Sequence, residues 1–194
     1  LPGDPPPGLG PVRYVFHLAA VSSVSRSFSD PAAVYSVNAA GTASVLEYVR
    51  RSSPGARFVL ASSAEVYGAS ADPLSESSPA LPSTPYGGSK LAAEVAALQS
   101  LRASGTDVVI ARCFPHFGPW QTPGFALPSF CRRVLAAVGD PGRAIPVGNL
   151  SAVRDYLYVD DVAGAYACLA ASGEAGGVYN VCSGTGASMQ ELLM

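Results

Sequence analysis

Among residue types that can move a proton near neutral pH, one pair stands out. In the stretch STPYGGSKLAAE, Ser83 to Glu94, Tyr86 precedes Lys90 by four positions. The chain holds 12 lysine and arginine residues, and Lys90 is its only lysine. On a helix, positions i and i+4 share a face, about 6 Å apart. A free phenol titrates near pH ~10, and a neighbouring ammonium favours the phenolate. The spacing therefore predicts a Tyr86 pKa drawn down towards the working range. An arginine would bring the charge without the compact three-donor head. A lysine can hold a tyrosine's charge and donate to a ribose hydroxyl together. Y-x-x-x-K also occurs on ordinary helix surfaces, so its chemistry rests on its neighbours.

Those neighbours are polar groups at strand ends. VLASSAEVYG (59–68) reads as a strand running into Ser62, Ser63 and Glu65, and HLAAVSS (17–23) ends another strand in small residues. In open α/β sheets, ligands lie at the carboxyl ends of the strands. A serine there can bond a substrate oxygen while a tyrosine exchanges its proton.

The elements that must position these groups alternate. Apolar runs at 12–20, 56–63 and 106–114 read as buried parallel strands. A helix is expected from Pro31, capped by Asp30, to Arg51, and another from Tyr86 to a stop at Gly105. The alternation predicts right-handed βαβ units, a Rossmann-like parallel sheet with helices on both faces. Beyond Phe114, Pro and Gly become frequent, and helices at 127–138 and 159–172 alternate with isolated strands at 144–148 and 177–183. The division predicted is a flexible lead-in at 1–11, a partial dinucleotide-binding core at 12–114, and a mixed substrate lobe with returning core elements at 115–194. No G-x-G-x-x-G follows a first strand.

Composition narrows the class. Hydrophobic residues make up 48% and charged ones 13%, with a net charge of −2. That balance fits a folded α/β protein and argues against nucleic-acid or anionic-membrane surfaces. No apolar run approaches the ~20 residues that span a bilayer. Cys113, Cys131, Cys168 and Cys182 read as reduced core residues of a cytoplasmic protein, and two histidines, His17 and His116, argue against a metal site. Both histidines read as structural hydrogen-bonders, Asp160 and Asp161 as helix caps, and Glu47, Arg50 and Arg51 as a solvated helix end. Trp120 suits either a base or sugar contact or loop packing.

Taken together, the stretches HLAA, NAAGT (38–42), SSAEVYG (62–68), SPALPSTPYGGSK (78–90), RCFPHFGP (112–119), VRDYLYVDDVAGAY (153–166) and VYNVCSG (178–184) resemble the extended short-chain dehydrogenase/reductase family. These are NAD(P)-dependent nucleotide-sugar epimerases, dehydratases and reductases, and the order and spacing of the stretches match over 12–194. VSRSFSDP, HFGPWQTPGF and VGNLSAVRDY look most like the branch of GDP-6-deoxy-mannose 4-reductases and GDP-mannose 4,6-dehydratases. The resemblance implies NAD or NADP as cofactor and a nucleotide-sugar substrate, GDP-linked by preference, with a homodimer as a further partner state. It makes Tyr86 the catalytic acid/base, Lys90 its partner and ribose ligand, and Ser63 the third member, with Glu65 beside them. Leu18, Ala19, Ala20 and Phe114 would line the cofactor, and Asn38 would stand near it. Ser63, Glu65, Pro115, Val147 and Arg154 would meet the substrate, Arg154 clasping its diphosphate.

Two departures qualify it. Pro115 replaces an asparagine that touches substrate phosphates, and the family's glycine-rich first turn is missing, as in a fragment or a protein that has lost that cradle. A non-catalytic remnant of the fold is the rival of another class. In the dehydratases the SSAEVYG strand end typically carries threonine and, two positions on, glutamate, with aspartate between them in some branches. Here Ser63, Ala64 and Glu65 stand there. Ala64 moves no proton, so the pattern favours C4 reduction over dehydration or epimerisation.

Overall fold

The computed structural model describes residues 11–140, 142 and 144–194, so the expected lead-in lies outside it except for Pro11. In chain order come β1 (Tyr14–His17), α1 (Val24–Ser29), α2 (Pro31–Tyr35), a π-helical turn (Ser36–Ala40), α3 (Gly41–Ser52), β2 (Arg57–Ser63), a 3-10 turn (Ala64–Val66), α4 (Pro85–Ser104) and β3 (Val108–Cys113). Then follow β4 (His116–Phe117), α5 (Ala126–Ala137), β5 (Val153–Asp155), β6 (Leu157–Tyr158), α6 (Val159–Ser172), β7 (Val178–Val181), β8 (Gly186–Ser188) and α7 (Met189–Leu193).

Packing divides the chain into two compact units. The first holds the described residues up to Cys113 together with Gly164–Val181, and the second holds Phe114–Ala163 with Cys182–Met194. The first is built on a parallel sheet in the order β1-β2-β3-β7. The strand at 178–181 is therefore not isolated as expected: Val178–Val181 pairs with Ile110–Cys113. Residues 144–148 form no strand; two prolines flanking that segment and a glycine within it deprive it of a ladder.

Strand alternation sorts the side chains. Phe58, Leu60, Val108 and Ile110 pack with Leu46 and Val49 of α3 and Ala93 and Ala97 of α4. Each large apolar side chain buried here contributes about 1.5–3 kcal/mol. The opposite face, with Val109 and Cys113, meets the part of the first unit that follows Gly164: Gly173 approaches Val109, and Tyr166 bonds Cys113.

The caps are local chemistry. Asp30 accepts from Ala33 N and Pro31 starts α2; Thr84 accepts from Gly87 N and Pro85 starts α4. Gly105, at φ 71°, takes the left-handed turn that ends α4. The helix expected over 31–51 is interrupted at Ser36–Ala40, where the turn widens around Asn38.

In the second unit β4 pairs with β6 in parallel and β5 with β8 antiparallel. The Asp155 carboxylate accepts from Ser183 N at 2.9 Å, Ser183 Oγ at 2.7 Å and Gly184 N at 2.7 Å. Asp160 and Asp161 lie within the first turn of α6, where they complement its dipole, rather than ahead of it as caps. Trp120 is fully exposed at φ 70°, which removes the loop-packing alternative. Of the four cysteines expected in the core, only Cys113 is buried; Cys131 and Cys168 are exposed because they fall on the outer faces of α5 and α6.

Candidate active site

β2 ends at Ser63, and α4 begins beside it. Gly87 makes that closeness possible: a Cβ there would stand 2.4 Å from the Glu65 carbonyl oxygen. The first turn of α4 thus lies directly against the turn that follows Ser63, and Tyr86 and Ser63 share a hydrogen bond between their hydroxyls. One helical turn on, Lys90 is 5% exposed, and its Nζ donates to the Ala61 carbonyl of β2.

The electrostatics differ from the sequence expectation. Burial raises the Tyr86 pKa above its ordinary value, the Ser63 bond opposes that rise, and the charges of Glu65 and Cys113 reinforce it. Burial also lowers Lys90 to about 8, against the opposing pull of Cys113 and Glu94. Desolvation of the two groups outweighs the charge effect that the i, i+4 spacing suggested. Tyr86 is accordingly a protonated phenol at neutral pH.

Asn38 is buried and ties this corner together. Its Oδ1 accepts from Val21 N at 2.8 Å, and its Nδ2 donates to Val21 O at 3.1 Å and to Ser89 Oγ at 2.9 Å. Ser89 Oγ in turn donates to Tyr86 O at 2.7 Å. The π turn carries Asn38 inward, joining the segment after β1 to the start of α4. His17 is structural, as expected: its Nε2 pairs with Thr42 Oγ1 at 2.9 Å, its ring stacks on Phe58, and burial followed by Lys90 lowers its pKa. Leu18 and Ala19, just past β1, are exposed, and Ala20 is half-buried.

The first unit therefore brings Ser63, Tyr86 and Lys90 together, with Glu65 beside them and Asn38 behind. Phe114, Pro115, Val147 and Arg154 belong to the second unit. There Pro115 O accepts from Leu157 N at 3.0 Å, Val147 is exposed, and Arg154 Nη1 bonds the Val153 carbonyl at 2.7 Å. His116, also expected to be structural, approaches Phe114 O through Nδ1 at 3.1 Å.

Sequence reasoning missed Glu94, Arg112 and Tyr166. Glu94 repeats the Tyr86–Lys90 spacing once more. Arg112 interrupts the apolar run of β3, which is itself a signal.

Comparison with known proteins follows the geometry. Residues 9–182 match the NAD dependent epimerase/dehydratase family. The chain is 38% identical over 183 residues to the GDP-6-deoxy-D-mannose reductase of Pseudomonas aeruginosa, covering 92% of this chain and 60% of that protein. It is 36% identical over 180 residues to a dTDP-glucose 4,6-dehydratase of Streptomyces niveus, covering 92% of this chain and 52% of that one. The structure of RMD from Pseudomonas aeruginosa complexed with NADPH superimposes with a TM-score of 0.87 at 38% identity, over 93% of this chain and 63% of that one. The Rossmann-like architecture expected from the alternation of elements is the one these relatives share. The parallel sheet, the matched span and these identities lead to one conclusion: the chain belongs to the NAD dependent epimerase/dehydratase family, the extended short-chain dehydrogenase/reductases.

Proposed function

We propose that the protein is an NAD(P)-dependent nucleotide-sugar oxidoreductase that reduces the C4 keto group of a GDP-linked 4-keto-6-deoxyhexose. The observation that carries this reading is the hydrogen bond between Tyr86 and Ser63 at the carboxyl end of β2, with the buried Lys90 one turn away. The residues present fit a nicotinamide dinucleotide. Exposed Ala19 beyond β1 leaves the backbone approachable, and Lys90 has three donors, of which the Ala61 carbonyl engages one. Leu18, Ala19, Ala20, Asn38, Lys90 and Phe114 would hold the cofactor, which when bound supplies the hydride.

The chain's own residues handle the proton. Ser63 bonds the keto oxygen and orients it towards Tyr86. The Tyr86 proton passes to that oxygen as C4=O becomes C4–OH, and the phenolate left behind is stabilised by the Lys90 ammonium until solvent reprotonates it. A phenol held protonated suits reduction, which begins with proton donation. Oxidation at C4, the opening step of dehydration and epimerisation, would need the phenolate first. Ser63, Glu65, Pro115, Val147 and Arg154 are proposed to meet the substrate, the Arg154 guanidinium suiting its diphosphate.

Glu65 favours a second reading. Its charge acts on Tyr86, so a carboxylate is within electrostatic reach of the reacting centre, and a 4,6-dehydratase is among the relatives. To separate the two, the protein is offered a GDP-4-keto-6-deoxyhexose and GDP-mannose in turn, and nicotinamide absorbance and product mass are followed. Consumption of NAD(P)H with the keto sugar supports the reductase. Loss of water from GDP-mannose without net NAD(P)H consumption supports the dehydratase.

A further inference from the structure

Glu94 lies one turn beyond Lys90 and two beyond Tyr86, on the same stripe of α4. It is 2% exposed, and Arg112 of β3 is 7% exposed. The two form a bidentate pair, Arg112 Nε to Glu94 Oε1 at 3.0 Å and Nη2 to Oε2 at 2.7 Å. Ser62 Oγ donates to the same Oε1 at 2.5 Å.

The pair reaches both halves of the candidate site. Ser62, Arg112 and Asn180 are direct register partners on β2, β3 and β7, in the row just before Ser63, Cys113 and Val181. The guanidinium carbon stands 4.7 Å from the centre of the Tyr67 ring, and Tyr67 OH donates to Asn180 Oδ1 at 2.7 Å. Tyr67 directly follows the 3-10 turn that carries Glu65. One buried ion pair thus grips the helix bearing Tyr86 and Lys90, the strand bearing Ser63 and the residue closing the turn after it.

Stability alone does not explain such a pair, because desolvating two charges offsets most of their attraction, and apolar side chains of similar volume serve as well. Directionality does explain it. The neighbouring sheet contacts of α4 are Ala93 and Ala97, small side chains that fill space but leave a helix free to slide. A two-pronged guanidinium–carboxylate bond fixes both distance and rotation. We propose that Glu94 and Arg112 are positioning residues that hold α4 at the height and rotation at which Tyr86 meets Ser63 and Lys90 meets the Ala61 carbonyl. The assignment rests on the reading of Tyr86 as the proton carrier.

The test compares wild type with Glu94→Met/Arg112→Met, which removes both charges, and with Arg112→Lys, which keeps the charge and loses the fork. Thermal melts report folding. Tyrosine labelled with 13C at the ring carbon bearing oxygen reports the Tyr86 environment, its signal assigned by Tyr86→Phe. Steady-state kinetics separate kcat from KM. The expected result is a cooperative melt, a displaced or broadened Tyr86 signal, and kcat at least about tenfold lower with KM changed less than about threefold. An unmoved Tyr86 signal with wild-type kcat in either folded variant would overturn the proposal. If the double substitution does not fold, Arg112→Lys decides. If wild type turns over no nucleotide-sugar, the functional reading fails, while the Tyr86 signal still judges the positioning.

Discussion

Lys90 donates to the main-chain carbonyl of Ala61, and so ties the helix that carries Tyr86 to the strand that ends in Ser63. The contact gives the lone lysine two tasks: it anchors α4 on β2, and it keeps a cation buried beside the phenol. Arginine would suit neither, since its planar fork is longer and does not shed its charge when buried.

Removing only the proton carrier should separate chemistry from binding. Tyr86→Phe is expected to lower kcat by about 10²–10⁴-fold, the usual contribution of a general acid. Cofactor affinity, measured by calorimetry, should stay nearly unchanged because the ring remains. Retention of a tenth or more of the wild-type rate would remove Tyr86 from the role.

The buried Lys90 leaves a signature in stability against pH. Its folded pKa, about 8, lies below the ordinary 10.5. Between those values the unfolded chain binds the extra proton, so Lys90's contribution to stability rises with pH across that window. Relative to Lys90→Met, wild type should gain roughly 3 kcal/mol from pH 8 to 10.5, read from denaturant melts. Parallel curves for the two proteins would mean that Lys90 is not desolvated. The same substitution should weaken both turnover and cofactor binding.

Two adjacent glycines should respond unequally to alanine. At Gly87 the new Cβ meets the Glu65 carbonyl oxygen at 2.4 Å, a backbone atom that moves only if α4 lifts from the turn. Gly87→Ala is expected to cost about 1–3 kcal/mol and to lower kcat as well. At Gly88 the Cβ meets the Tyr35 hydroxyl at 2.2 Å, the far end of an exposed side chain. That ring can swing aside, so Gly88→Ala should cost clearly less. Chemical denaturation of both variants checks the order; equal losses would place the constraint elsewhere.

Elements governed by local pattern were legible in the sequence. Asp30 with Pro31 and the glycine at 105 mark helix ends through cap chemistry that acts over a few residues. The apolar runs at 56–63 and 106–114 mark buried strands. The return of Val178–Val181 to the sheet was not legible, because pairing with Ile110–Cys113 links positions far apart in the chain. The π turn at Asn38 was hidden for the same reason: it is set by bonds to Val21 and Ser89 rather than by its own residues. The Tyr86–Lys90 spacing announced the site, yet burial reversed the sign of the Tyr86 shift, and burial is a property of the assembled packing. Arg112 could have been read as a partner-seeking charge within a buried strand; only the structure names Glu94 as that partner.

The most direct test of the central claim follows one deuterium atom. A GDP-4-keto-6-deoxyhexose is incubated with NAD(P)H deuterated at the transferable position of nicotinamide C4, and the sugar product is analysed by mass and NMR. Reduction at C4 with Tyr86 donating the proton predicts one deuterium at sugar C4, stoichiometric loss of NAD(P)H, and no product with Tyr86→Phe. A wild-type protein that leaves the keto sugar unlabelled, yet removes water from GDP-mannose with no net consumption of NAD(P)H, would contradict it.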